Sequence, residues 1–274
     1  MHPETPLLCI VGYPDIEGPL NWPEVWRSIC DITTIAGVQP THIQVATVGH
    51  HKIKPAMKIG KHSINQLGQA LLDADCCEVD IYGLDTDSHF MYAPLIIAVR
   101  MTEEKPCKGV FVMHVKLDNQ LHMQELSGIC RSVFDHINGV LGISQGLVHC
   151  MRANQYPTLY FDDAPYSPHL SDAEEENVRL WEVSRHHSRE VVRGVFWGNL
   201  LTSGHWAHSN SKRDAIVADL RAFNVHLHEL SGGRLFFHAP LNLMYLYDKE
   251  SRFIQYANDV RKILANHGIH TVHV

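Results

Sequence analysis

His205 and His208 lie three positions apart in SGHWAHS, a spacing that puts two imidazoles on one face of a helical turn. His226 and His228 alternate in HLHEL and would share one face of a strand. Asp85, Asp87 and His89 (DTDSH) fall in a polar segment between two strand-like runs, where oxygen and imidazole ligands can gather around a cation. One alternative, a histidine-rich metal-dependent enzyme, would draw its ligands from Asp85, Asp87, His89, His114, His205 and His208. The pattern argues against it. There is no HExxH, and no Glu-x-x-His pair recurs on two helices. The 21 histidines are spread along the whole chain, so they are expected as surface or hydrogen-bonded side chains, with no metal and no cofactor.

Nucleophile chemistry fares no better. GISQG around Ser144 fits the G-x-S-x-G pattern, but a nucleophile elbow needs a strand before the serine and a helix after it. Here a helix-like run precedes and a strand-like run follows. Neither a phosphate-binding loop nor a dinucleotide glycine fingerprint occurs. The chain is expected not to be an enzyme.

The composition is that of an ordinary globular protein, 45% hydrophobic and 19% charged, long enough at 274 residues for one large domain or two small ones. A net charge of -7 argues against a nucleic-acid footprint and suits a basic protein partner. The opening MHPETPLLCIVGYP lacks a basic leader region and a membrane-length apolar run, which implies a cytoplasmic protein with no membrane association. Seven scattered cysteines without a CxxC read as reduced core residues rather than a zinc site or disulfide framework.

The periodicities place the elements. A strand is expected at 7–12, closed by Gly12 and Pro14, then a helix over 22–36 with Asn21 as N-cap and Pro23 in its first turn. A strand follows at 41–48 and a helix at 64–74. Three closely spaced strands, 76–84, 92–101 and 109–117, must pair antiparallel, because parallel pairing needs long crossovers. A helix over 123–137, ended by Gly139 and Gly142, leads to a strand at 143–151. The last helix spans 251–267 and a short strand closes the chain at 272–274. This order is α+β: mostly antiparallel sheet with helices packed on one face. Strand–helix–strand recurs at 7–48, 109–151 and 193–239, which allows two related halves. The expected organisation is a single domain over 1–274, or two lobes, 1–151 and 177–274, joined by the proline-rich and acidic segment 152–176.

The stretch 191–243 reads as strand, short turn, helix capped by Ser211, a Gly232-Gly233 turn and strand. His205 is expected to cap the short turn, and Trp197 and Trp206 to anchor it. Its pattern, GVFWGNLL followed by SGH, a helix and a Gly-Gly strand, resembles the immunity proteins paired with toxins of bacterial type VI secretion and related polymorphic toxin systems. The resemblance implies a cytoplasmic protein that neutralises a cognate toxin by direct binding. Under that reading the acidic, tyrosine-bearing segment supplies the partner-binding residues: Tyr160, Asp162, Asp163, Tyr166, Asp172, Glu174, Glu175 and Glu176. Carboxylates there could enter a basic cleft, with tyrosines as anchors. A non-catalytic scaffold subunit is the other alternative, and a homodimer is compatible with either.

Overall fold

A computed structural model describes residues 6–16, 20–47, 57–60, 76–84, 93–101, 107–117, 123–152, 184, 187–241 and 251–272. The chain divides into two compact units: Met1–Ile143 with Met151–Tyr156, and Ser144–Cys150 with Pro157–Val274.

The first unit is built on strands β1 (Pro6–Ile16), β2 (His42–Thr47), β3 (Met57–Lys58), β4 (Cys76–Gly83), β5 (Leu95–Met101) and β6 (Cys107–Lys116). They lie in the order β1-β6-β5-β4-β2-β3, and every pair is antiparallel. Short connections between apolar, alternating runs leave no other pairing for the central strands. Strand β1 runs past the expected stop. Pairing with β6 lapses after Gly12 and resumes at Asp15 in the same register, because Pro14 has no N–H to give but its φ is compatible with an extended chain.

One face of this sheet is apolar throughout. Leu8, Ile10, Met113, Ile97, Val79 and Ile43 all lie on it and are buried. Two helices cover that face: α1 (Trp22–Ile35) and α2 (Met123–Leu141), which also pack on each other. A Cβ at Gly12 would come within 3.1 Å of Ile137 from α2, so the glycine is what lets the helix sit this close. Helix α1 starts as its sequence dictates: the Asn21 side chain accepts from the Glu24 N–H at 3.4 Å, with proline in the first turn. Helix α2 runs through Gly139 to Leu141. Leu141 is buried, and its burial offsets the roughly 1 kcal/mol that a glycine costs inside a helix. The helix expected over 64–74 lies outside the described residues.

The opposite face is mixed. Val11, Val112, Ala98 and Ile96 are apolar and buried, whereas Gln44, Glu78, Asp80, Tyr82 and Arg100 make a polar patch toward β2.

The second unit holds most of β7 (Ile143–Arg152), with β8 (Val191–Arg193), β9 (Gly198–Leu201), β10 (His226–Leu230), β11 (Arg234–His238) and β12 (His270–Val272). Its main sheet runs β10-β11-β9-β7, antiparallel, beside a parallel pair β12-β8. Gly232 and Gly233 take φ of 70° and 72° at the β10–β11 turn, a conformation L side chains resist. Helix α3 (Ser203–His208) is one and a half turns; α4 (Arg213–Ala222) and α5 (Ser251–Asn266) pack together. Helix α4 begins one residue later than its sequence implies. Lys212 rather than Ser211 is its N-cap, with no side-chain capping bond, because Ser211 Oγ donates to Asn210 Oδ1 instead. His267 Nε2 lies 2.9 Å from Asp219 Oδ2 and ties the end of α5 to α4.

The Tyr256 hydroxyl of α5 is buried with no hydrogen-bond partner among the described residues. Removing an unsatisfied buried hydroxyl relieves its desolvation cost. Tyr256→Phe is therefore expected to raise stability by up to about 1 kcal/mol in urea denaturation; a loss of that size would mean the hydroxyl is bonded.

The fold is α+β, a large antiparallel sheet architecture with helices packed against it, as the element order implies.

Candidate functional site

The corner between β8 and α3 brings together Trp197, Asn199, Thr202 and His205. After β8 the chain turns at Gly194, whose φ is 84° and whose absent Cβ would lie 2.6 Å from the Phe196 ring. Trp197 follows and is fully buried. Its indole N–H donates to the Leu241 carbonyl at 2.8 Å, and its ring stacks on His238 with centroids 4.6 Å apart. Asn199, also fully buried, uses both ends of its amide on one residue. Oδ1 accepts from the Phe196 N–H at 3.2 Å and Nδ2 donates to the Phe196 carbonyl at 2.9 Å. A backbone that leaves the sheet still needs its polar groups paired, and here one side chain does it. Residues 194–197 therefore form a corner between β8 and β9, and the second strand begins only at Gly198.

Thr202 closes the corner. Its hydroxyl donates to the Ser144 carbonyl at 2.7 Å, and its N–H donates to His205 Nδ1 at 3.2 Å. Since Nδ1 accepts, the ring proton of His205 sits on Nε2. Burial pushes this imidazole down to about 4, so it is neutral at neutral pH. His205 is thus a capping residue at the start of α3, as its place in SGH implies. Ser144 is preceded by α2 and followed by the rest of β7, and its hydroxyl lies 2.7 Å from that of Ser188. That is a structural hydroxyl pair, with the strand and helix in the reverse of elbow order. Next to it, Gln145 Oε1 accepts from the Arg193 N–H at 3.2 Å and Arg193 Nε donates to Ser184 at 3.0 Å.

The hairpin β10–β11 adds a ledge of imidazoles. His226 and His228 do share a strand face, and cross-strand register brings His238 opposite His226. The ring of His238 stacks on His226 at 4.8 Å and on His228 at 5.6 Å, with planes 25° and 19° apart. An imidazole holds a metal in its own plane about 2 Å from the nitrogen. Stacked rings this nearly parallel cannot aim two lone pairs at one point. His205 and His208 do not converge either. His205 is interior, while His208 is half-exposed, with Nδ1 bonded to the Gly204 carbonyl at 2.8 Å. His114 is buried on β6 opposite Cys9, and burial pushes it down to about 4. Among the described residues no group of three or more His, Cys, Asp or Glu is arranged to hold a metal ion.

Asp85, Asp87 and His89 lie outside the described residues. So does the whole partner-binding set, Tyr160, Asp162, Asp163, Tyr166, Asp172, Glu174, Glu175 and Glu176. Two features went unread in the sequence. One is the double role of Asn199; the other is a polar cluster around Asp80 on the first unit. Its only signal is a pair of acidic residues at alternate positions of an otherwise apolar strand, CCEVDIYG.

Fold and site together define an α+β protein whose buried corner is held by hydrogen bonds from Trp197, Asn199, Thr202 and His205. No helix among the described residues is long and apolar enough to cross a membrane. This fold is similar to that of a solved structure described as the Pseudomonas aeruginosa T6SS protein PA0821, with a TM-score of 0.57 and 14% sequence identity. The match covers 85% of this chain and 65% of that one, so the chain spans about two thirds of the length of the protein it matches. No protein-family model matches the sequence, and no curated protein matches it.

Proposed function

We propose that this protein is an immunity protein of a bacterial type VI secretion or related polymorphic toxin system, binding a cognate toxin one to one in the cytoplasm. The observation that carries the reading is the fold shared with a type VI secretion protein over 85% of the chain. The GVFWGNLL and SGH pattern, which resembles that of such immunity proteins, also supports it. In this reading neutralisation is by occupation, with no chemistry on the toxin. The metal-dependent alternative loses support because no group of three or more His, Cys, Asp or Glu among the described residues is arranged to hold a metal ion.

The acidic segment is the proposed contact surface. Six carboxylates interleaved with tyrosines, on a chain of net charge -7, would meet a basic toxin surface with complementary potential. Titration calorimetry of the purified protein against the product of the neighbouring gene tests this. One-to-one binding is expected. Reversing Asp162, Asp163 and Glu174–Glu176 to lysine should weaken it at least about 100-fold, equivalent to about 3 kcal/mol, with a weaker salt dependence. Unchanged affinity in the reversed variant would move the contact surface elsewhere, and absence of binding by the wild type would remove the immunity reading.

A further inference from the structure

The polar patch on the first unit is charged in an unbalanced way. Glu78 and Asp80 stand two apart on β4 and so point to one face; Arg100, the register partner of Glu78 on β5, is the cation next to them, and Lys58 on β3 lies on the same face, opposite His42. Arg100 Nε lies 2.7 Å from Glu78 Oε1, while its Nη2 is 3.9 Å from Asp80 Oδ2. The guanidinium therefore belongs to Glu78. Asp80 is left with the Glu78 carboxylate as a like-charged neighbour and a long contact from the Tyr82 hydroxyl at 3.4 Å, a hydroxyl that also lies 3.5 Å from Gln44 Oε1. Its Oδ1 is buried with no hydrogen-bond partner among the described residues. A carboxylic acid tolerates that position; a carboxylate does not.

We propose that Asp80 is a proton-operated latch between β4 and β5: protonated, it donates to Glu78 and leaves Arg100 to Glu78, and ionised, it competes with Glu78 for Arg100. The facing groups are accounted for strand by strand. On β4 they are Glu78 and Tyr82. On β2 they are Gln44, directly opposite Asp80, and His42, opposite Tyr82; beyond it on β3 is Lys58, opposite His42. On β5 the residue opposite Asp80 is Ala98, which can supply no compensating bond, and Arg100 is the charge beyond it. Ionisation places two carboxylates against one guanidinium on a strand face where Asp80 is almost wholly covered.

Burial, and then the charge of Glu78, push Asp80 up to about 7, with Arg100 only partly offsetting them. The sign follows. A carboxyl raised in the fold above its ordinary value of 3.8 stabilises fully below that value, and the contribution is lost as pH rises through about 7. Four imidazoles oppose this trend. His114, His149, His205 and His238 are each lowered to about 4 by desolvation, so they make stability rise with pH between about 4 and 6.5. The wild-type profile alone would mix the two effects.

The test compares the full chain with Asp80→Asn by urea denaturation from pH 4 to pH 8. Both proteins carry the histidines, so their difference isolates the latch. Relative to its value at pH 4, the variant should gain on the wild type by up to about tenfold in folded-to-unfolded ratio per pH unit, levelling off above pH 7. A difference that stays constant across the range overturns the proposal. Carbon-13 titration of the aspartate carboxyls in the wild type gives a readout independent of the variant's folding. One midpoint near 7 is expected, lowered in Glu78→Gln and raised in Arg100→Gln. If every aspartate titrates below about pH 5, the latch does not exist.

Discussion

Trp197→Ala is expected to lower the unfolding free energy by about 3–5 kcal/mol, the range for truncating a large buried aromatic. The position concentrates several effects. The indole is fully buried, and it supplies the donor for the Leu241 carbonyl and the surface on which His238 stacks. Its loss would leave a cavity beside the β9–β11 ladder and free a carbonyl that has no strand to return to. A domain holds only about 5–15 kcal/mol in total, so the second unit should be largely unfolded at modest urea. Urea denaturation followed by tryptophan fluorescence and circular dichroism measures this, with Trp206 and the remaining indoles as reporters. Trp197→Phe, which keeps most of the volume and loses the donor, should fall between the two. A loss below 1 kcal/mol in the alanine variant would show that the corner is not the anchor of this unit.

The second large effect is at Asn199. Truncation to alanine removes partners from both the N–H and the carbonyl of Phe196 at once. Each unpaired group costs about 1–3 kcal/mol where water cannot replace the lost bond, so Asn199→Ala should cost about 2–4 kcal/mol. Asn199→Asp separates the two bonds. It keeps an acceptor for the Phe196 N–H but turns the donor toward the Phe196 carbonyl into a second acceptor, in a site with no exposure. The aspartate should therefore be at least as damaging as alanine at pH 7, and less so at pH 4, where it can carry a proton. Hydrogen exchange at the Phe196 amide reports the same event locally. Protection is expected in the wild type and lost in both variants, while an amide still protected in Asn199→Ala would deny the side chain its role.

Part of the architecture was legible in the sequence. Short connections between CCEVDIYG, LIIAVRM and GVFVMHVK force antiparallel neighbours, and Asn21 with Pro23 announces the start of α1. Local signals misled where tertiary packing overrode them. Pro14 ends no strand, because extended backbone suits its φ and the ladder resumes beyond it. Gly139 ends no helix, because Leu141 beyond it is buried. Ser211 is not a cap, because its hydroxyl is engaged by Asn210.

Chemistry was less legible than fold because it depends on cross-strand register. Spacing in HLHEL shows that His226 and His228 share a face, but only the pairing with β11 brings in His238 and tilts the rings into a stack unfit for a metal. Likewise, two acidic residues in β4 look like solvated alternation until Arg100 is set opposite the first and Ala98 opposite the second. Asn199 shows the same limit from the other side. The motif announces that it matters, and only the geometry shows that Phe196 is what it serves.

Growth rescue reads neutralisation of a toxin in the cell itself. The neighbouring gene is induced in a susceptible bacterium with and without this protein in the cytoplasm. Arrest on induction alone, and full growth when the intact chain is co-expressed, is the predicted result, with rescue lost in the variant reversed at Asp162, Asp163 and Glu174–Glu176. A neighbour that arrests growth equally in the presence and absence of this protein would rule out neutralisation by it.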